Sequence, residues 1–205
     1  MQGYGTPPWQ VVLDFWFADG LAHHWPADAV AQRWFNGGAA FDDDIEREFG
    51  ALVDAALMQE LVEWEERPEG RLALVLVLDQ FTRNIHRGSA QAFAGDHRAL
   101  TLVMEGLARG MDLQLPPLGR AFFYMPLMHA EDADIQAISV ARFAALEPEV
   151  PAAVAEHYAV FSHFARDHAE VIAKFGRFPH RNEVFGRETS AAEQAYLETA
   201  NRYGQ

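Results

Sequence analysis

The sequence predicts an all-α protein: antiparallel helix pairs packed as a single domain over residues 1–205, with about nine helices. Three observations carry this. Apolar residues recur at spacings of three and four along much of the chain. Pro, Ser and Asp at helix starts, and Gly at helix ends, punctuate those runs. No two alternating apolar–polar runs flank a hairpin turn. The chain has 205 residues, half of them apolar, with a mean hydropathy of -0.14, enough material for a core.

The elements follow in order. Thr6, Pro7 and Pro8 offer an N-cap and a first-turn proline to an apolar helix that closes at Gly20. Trp25 and Pro26 open a second helix to about residue 35, ended by Gly37 and Gly38. Asp42, Asp43 and Asp44 place negative charge at the start of a third, where the macrodipole favours it. A short helix around residues 61–66 carries Trp64, and Pro68-Glu69-Gly70 reads as a turn. Residues 72–78, LALVLVL, are apolar on every side. They read as a helix, because they run on into Asp79-Gln80-Phe81-Thr82-Arg83 without a break and no partner strand is visible; such a helix belongs in the middle of the fold. Gly88 and Ser89 stop it. A helix over 99–108 ends at Gly110, and Pro116-Pro117 opens another to about Tyr124, with Pro126 as a break. Residues 131–146 are amphipathic, 152–175 form the longest helix, ended by Gly176, and Ser190 with Glu193 makes a capping box for the last.

Composition excludes several function classes. The formal charge of -14 repels nucleic-acid phosphates and anionic lipid, so neither is an expected partner. The chain has no Cys, which removes disulfides, thiolate chemistry and Cys-based metal sites. The longest apolar run, seven residues, is too short for a bilayer, which takes about 20. No basic residue precedes the first apolar run, so no signal peptide is read and a cytoplasmic location is expected. No phosphate loop, nucleophile elbow, Rossmann fingerprint, HExxH or calcium-loop pattern occurs. No cofactor and no metal site are expected.

Three segments gather polar residues beside apolar ones. In the first, Asp79 and Arg83 are four apart, on one helical face. A carboxylate behind seven apolar residues must find a cation or several donors. Either the pair fixes helix packing, or Asp79 orients Arg83 towards a ligand. In the second, residues 124–132, His129 precedes Glu131 and Asp132 at a helix start. Either the acids serve the helix N-terminus and His129 caps it, or His129 and Glu131 form an acid–base pair or, with a further carboxylate, part of a hard-metal site, for which this spacing alone is a weak signal. The third, KFGRFPHRN (residues 174–182), concentrates cations in an acidic chain. Its loop can aim Arg177, His180 and Arg181 inward or outward, with Phe175 and Phe178 as anchors. His157 and His168 lie at helical spacing on the apolar face before it. Arg83-Asn84 and Arg181-Asn182 each follow a Phe, which suggests that the Arg-Asn pair does similar hydrogen-bonding work twice.

These segments together resemble a bacterial family, domain of unknown function 924. The resemblance rests on residues 12–17 (VLDFWF), 76–84 (LVLDQFTRN), Arg87-Gly88, Ala92-Phe93-Ala94, Asp96, 124–132 (YMPLMHAED), 175–182 (FGRFPHRN) and Gly186-Arg187, and spans almost the whole chain. Thr82 stands where members often have Pro, and Ala130 where they often have Ser; an activity needing that Ser hydroxyl would be missing here. The resemblance implies an all-helical, tetratricopeptide-like fold and no established activity. No clear 34-residue repeat consensus is present here.

Two functional expectations remain beside a purely structural polar network. One is a small-molecule site, enzymatic or not. It would bind an anionic group through Asp79, Arg83, Asn84, Arg177, His180, Arg181 and Asn182, with His129, Glu131 or His168 moving protons. The other is a helical scaffold with a groove for a peptide or protein partner.

Overall fold

The structure, a computed structural model, describes residues 6–200. Those residues contain helices, turns and no strand. Residues 1–5 and 201–205, which the single-domain expectation includes, lie outside them.

Helix α1 (Gln10–Phe17) starts later than Thr6 predicts: Trp9 stands at the N-cap with no side-chain bond. A one-turn α2 (Gly20–His23) and α3 (Asp28–Asn36) follow. Helix α4 (Gly38–Leu57) begins a turn before the three aspartates. Asp42 therefore does not serve the helix start; its carboxylate takes bonds from Asn84 and Arg87. A 3-10 turn (Val62–Glu66) buries Trp64.

The expected turn at Pro68 is instead the first turn of α5 (Pro68–Leu76). Pro at a helix start loses no intrahelical bond. Gly70 is required there by packing: a Cβ would lie 2.5 Å from the Trp64 carbonyl oxygen. Helix α5 is the centre of the molecule. Residues 72–78 are each at most 3 % exposed, as an all-round apolar helix demands. It continues through a π turn (Val77–Phe81) into the one-turn α6 (Thr82–Ile85).

A 3-10 turn (Ala90–Phe93) leads to α7 (Asp96–Ala108). Gly95 permits this approach, because a Cβ there would collide with the Leu78 carbonyl oxygen. Helices α8 (Pro117–Phe123) and α9 (Met125–Met128) are separated at Tyr124, and Pro126 falls in the first turn of α9. Helix α10 (Ala133–Leu146) is capped by Asp132, which accepts from the amides of Asp134 and Ile135. It folds back on α11 (Ala155–Phe175), which ends at Gly176 in the left-handed conformation (φ 70°). After a 3-10 turn (Pro179–Arg181), α12 (Ala191–Leu197) starts with the expected Ser190–Glu193 capping box.

One large apolar cluster joins α1, α4, α5 and α7 to α11, and a small one gathers Val171, Ile172 and Phe178 under the last loop. Among the described residues, no helix is long and apolar enough to cross a membrane.

Candidate functional site

The polar centre begins where α5 runs out of apolar residues. Asp79 lies inside the π turn and is fully buried. The extra residue of such a turn distorts the helical ladder, a feature often found at functional sites. Its Oδ1 meets Arg83 Nη1 at 2.9 Å and His129 Nδ1 at 2.8 Å; its Oδ2 accepts from Gln80 at 2.6 Å. Burial alone would raise this carboxyl, but the Arg83 charge and the bonds from His129 and Gln80 outweigh it and hold Asp79 ionised, below the usual carboxylate range.

An ionised carboxylate only accepts, so His129 presents Nδ1–H to it and keeps its Nε2 lone pair. Burial, offset only in part by Asp79, lowers the pKa of His129 and keeps it neutral. His168, on α11, lies with its ring centroid 6.1 Å from that of His129. Its Nδ1 bonds the Phe164 carbonyl at 2.7 Å. Burial and the neighbouring His129 push His168 down to about 3. His180, in the last loop, is likewise pushed down to about 3, by burial and then by Arg181.

Arg83 donates to the Asp79 carbonyl at 2.6 Å and pairs with both oxygens of Asp96 at 2.8 and 2.9 Å. Asp96 is therefore largely committed to Arg83. Arg181 reaches it only at 3.5 Å. The Arg181 side chain is 7 % exposed, its Nε has no hydrogen-bond partner, and its guanidinium lies over the rings of Phe93 and Phe178 at 4.5 and 4.6 Å. Burial, with Arg83 close by, pushes Arg181 down to about 10. It remains a cation at neutral pH, with an Nε–H that no protein group accepts from.

Glu131 has a different task from the one its position in sequence suggests. It accepts two bonds from Arg187, at 2.7 and 3.0 Å, and one from the Phe178 amide at 2.8 Å. Burial would raise its pKa, but Arg187 and the amide win and lower it. Glu131 thus pins the last loop to the start of α10, inward, with Phe178 buried beneath it. Asp132, and not His129, caps α10.

Among the sequence-predicted residues, Asp79, Arg83, His129, His168 and Arg181 come together, with His180 beside them. Asn84 turns away to Asp42 at 2.7 Å, and Asn182 to Thr189 at 3.3 Å. The two Arg-Asn pairs do alike only through their arginines, which share Asp96 and the Phe93 ring. Arg177 does not join the centre. It is held by Glu193 at 2.7 and 2.9 Å and donates to the Glu188 carbonyl. With Lys174, Phe175 and Ser190 it lines an open groove of about 500 Å³. His157 is not in the centre either: it stacks on Trp25 at 4.0 Å.

Sequence reasoning did not single out Asp96, Phe93, Gln80 or Arg187 as site residues. Asp96 follows a glycine and opens a helix, a place any acid favours; nothing local marks it as the partner of two arginines. Among the described residues, no group of three or more His, Asp or Glu side chains is placed to hold a metal ion.

The profile of the bacterial proteins of unknown function DUF924 matches residues 12–201. The chain belongs to the DUF924 family. Among solved structures it is similar to the protein of unknown function ATU0120 from Agrobacterium tumefaciens. The two are 35% identical over 94% of this chain and 97% of that one, with a TM-score of 0.77. No curated protein matches. The DUF924 match takes in the π turn, Asp96, the His129 segment and the last loop, so the whole polar centre lies within it.

Proposed function

We propose that the chain binds a small anionic molecule at the polar centre, with Arg181 as the anchoring cation. The observation that supports this best is the state of Arg181: a buried guanidinium with one long contact to a carboxylate that another arginine already holds. A buried charge with one long ionic contact is costly, and a bound anion would add a second. Solvent reaches the centre, since the side chains of His129, Asp96 and Arg83 keep 17%, 23% and 11% of their exposure.

The same centre is suited to take a proton. Asp79 fixes His129 in the tautomer whose Nε2 is basic, the arrangement a general base needs. In this reading His129 is the proton acceptor, Asp79 positions it, and His168 adjoins it. Glu131 serves as a loop anchor. Residues 1–205 act as one domain, in the cytoplasm.

A second reading, a tetratricopeptide-like scaffold for a peptide or protein partner, draws on the open groove at residues 174–193. Its cation Lys174 lies over the rings of Phe175 and Tyr196.

A thermal-shift screen of the full chain against carboxylates, phosphate and nucleotides at matched ionic strength tests the first reading. A ligand at 100 times its Kd stabilises the native state by about 2.7 kcal/mol. The expected result is a raised midpoint in the wild type that Arg181→Met abolishes. If no anion moves the midpoint, the reading fails.

A further inference from the structure

This inference rests on the anion reading and concerns how its site is reached. We propose that residues 177–188 form a lid over the Arg181 side of the polar centre, which opens as a unit and has the Glu131–Arg187 pair as its latch.

The segment is built as a unit. Arg177 donates to the Glu188 carbonyl at 2.7 Å and so holds its two ends together. Between them the backbone bonds close on the segment itself. The amides of Arg181, Asn182, Phe185, Gly186 and Arg187 donate to the carbonyls of Phe178, Pro179, Arg181, Glu183 and Asn182, at 2.8 to 3.1 Å. A compact loop with joined ends and its own internal bonds is an Ω loop, and it can swing without breaking them. Its entry is Gly176, where even a Cβ would meet nothing within 4 Å, as suits a hinge.

The ties from this loop to the body are small. Glu131 holds the Phe178 amide and the Arg187 guanidinium. Arg181 reaches Asp96 at 3.5 Å and stacks on Phe93. Phe178 packs on Val171 and Ile172 in a cluster separate from the main core. Closure also buries Arg181 Nε, Arg187 Nε and Asn182 Oδ1 without hydrogen-bond partners. Leaving such groups unbonded costs free energy that opening to water returns.

The loop covers the site. The Phe178 ring lies 5.4 Å from that of His168, and Arg181 Nε is withdrawn from solvent while the loop is closed. An anion meets that Nε only when the loop swings out. Arg177 then has its place as well: it clamps the ends of the lid and fastens them to Glu193 of α12.

The chain has no Cys, so one introduced thiol reports opening without interference. Val171→Cys places it beneath Phe178, and Val103→Cys, in the main core on α7, is the reference. The full-length variants are treated with iodoacetamide at pH 7 over a range of low urea concentrations, and labelling is followed by mass. Val171→Cys is expected to react at least about tenfold faster than Val103→Cys, with a shallower urea dependence, because local opening exposes less surface than unfolding. Adding Glu131→Gln weakens the latch and should speed Val171→Cys by about tenfold. Ile172→Cys takes its place if Val171→Cys does not fold. Equal rates with equal urea dependence at the two positions overturn the lid, since the loop then opens only with the whole chain. A Val171→Cys rate that Glu131→Gln leaves unchanged overturns the latch and the proposal with it. The labelling needs no ligand, so the two readings fail separately. A loop that opens as described while no anion moves the melting midpoint sinks the anion reading alone.

Discussion

Arg71 and Arg181 are both withdrawn from water, and the protein treats them differently. Arg71 donates from Nε to the Glu65 carbonyl at 2.9 Å and from Nη1 to the Leu102 carbonyl at 2.8 Å and to Glu105 at 3.2 Å. It joins α5 and α7 to the 3-10 turn before them, and its partners are fixed by backbone. Arg181 has a single contact of 3.5 Å, two aromatic rings and an unpartnered Nε. A well-bonded buried arginine holds helices together; a poorly bonded one is kept for some other reason. Asp112, buried in a 3-10 turn (Asp112–Gln114) after α7, is bonded in the same way as Arg71. There the Tyr124 hydroxyl donates to Asp112 at 2.6 Å, and burial, with that bond, pushes the tyrosine up to about 12.

The comparison breaks first at Asp79, which belongs to the Arg181 centre yet is bonded like the Arg71 one. Asp79→Ala leaves Arg83 and His129 facing a void and is expected to cost about 3–5 kcal/mol. Urea unfolding measures it. A loss under about 1 kcal/mol would mean that the centre contributes little to the fold.

Acid separates the two regions next. An unfolded histidine has the ordinary value of 6.5, and His168 and His180 lie at about 3 in the folded chain. The unfolded state therefore takes protons first. Stability is full above 6.5 and falls as pH drops towards 3, by up to about 1.4 kcal/mol per pH unit for each histidine. Asp79 and Glu131 have lowered values. Their contributions are present above the ordinary carboxylate range and are lost only further down, so the interval from pH 6.5 to 5 isolates the histidines. Urea midpoints at pH 7, 6 and 5 should fall, and His168→Gln should remove about a third of the slope, because His129 and His180 are lowered as well.

Smaller effects sharpen the role of the loop. Glu131→Gln is expected to cost about 1–3 kcal/mol and to speed hydrogen exchange at the Phe178 amide, which loses its charged acceptor. Ser190→Ala removes the capping bond and should cost about 1 kcal/mol, with no effect on the centre.

The sequence made local relations legible and distant ones not. Asp79 and Arg83 pair because their spacing of four puts them on one helical face. Gly176 and the Ser190–Glu193 box act within a few residues of themselves, and they read correctly. Pro68-Glu69-Gly70 was misread because turn chemistry and a helix start share Pro and Gly, and the deciding contact, Gly70 against Trp64, is tertiary. Asp96 was invisible as a partner because it reaches Arg83 only after the chain has turned through Gly95 against Leu78. Arg177 looked like part of the polar centre because of its neighbours. Glu193, a residue read only as a cap, takes it away.

The central claim is that Arg181 is not held for stability. Urea unfolding of Arg71→Met and Arg181→Met at pH 7 measures it most directly. Methionine fills similar volume and suits aromatic neighbours. The account predicts a loss of about 3 kcal/mol or more at Arg71, where buried acceptors lose their donors, and a change within about 1 kcal/mol at Arg181, in either direction. Equal losses at the two positions would contradict it and make the Arg181 centre another structural brace.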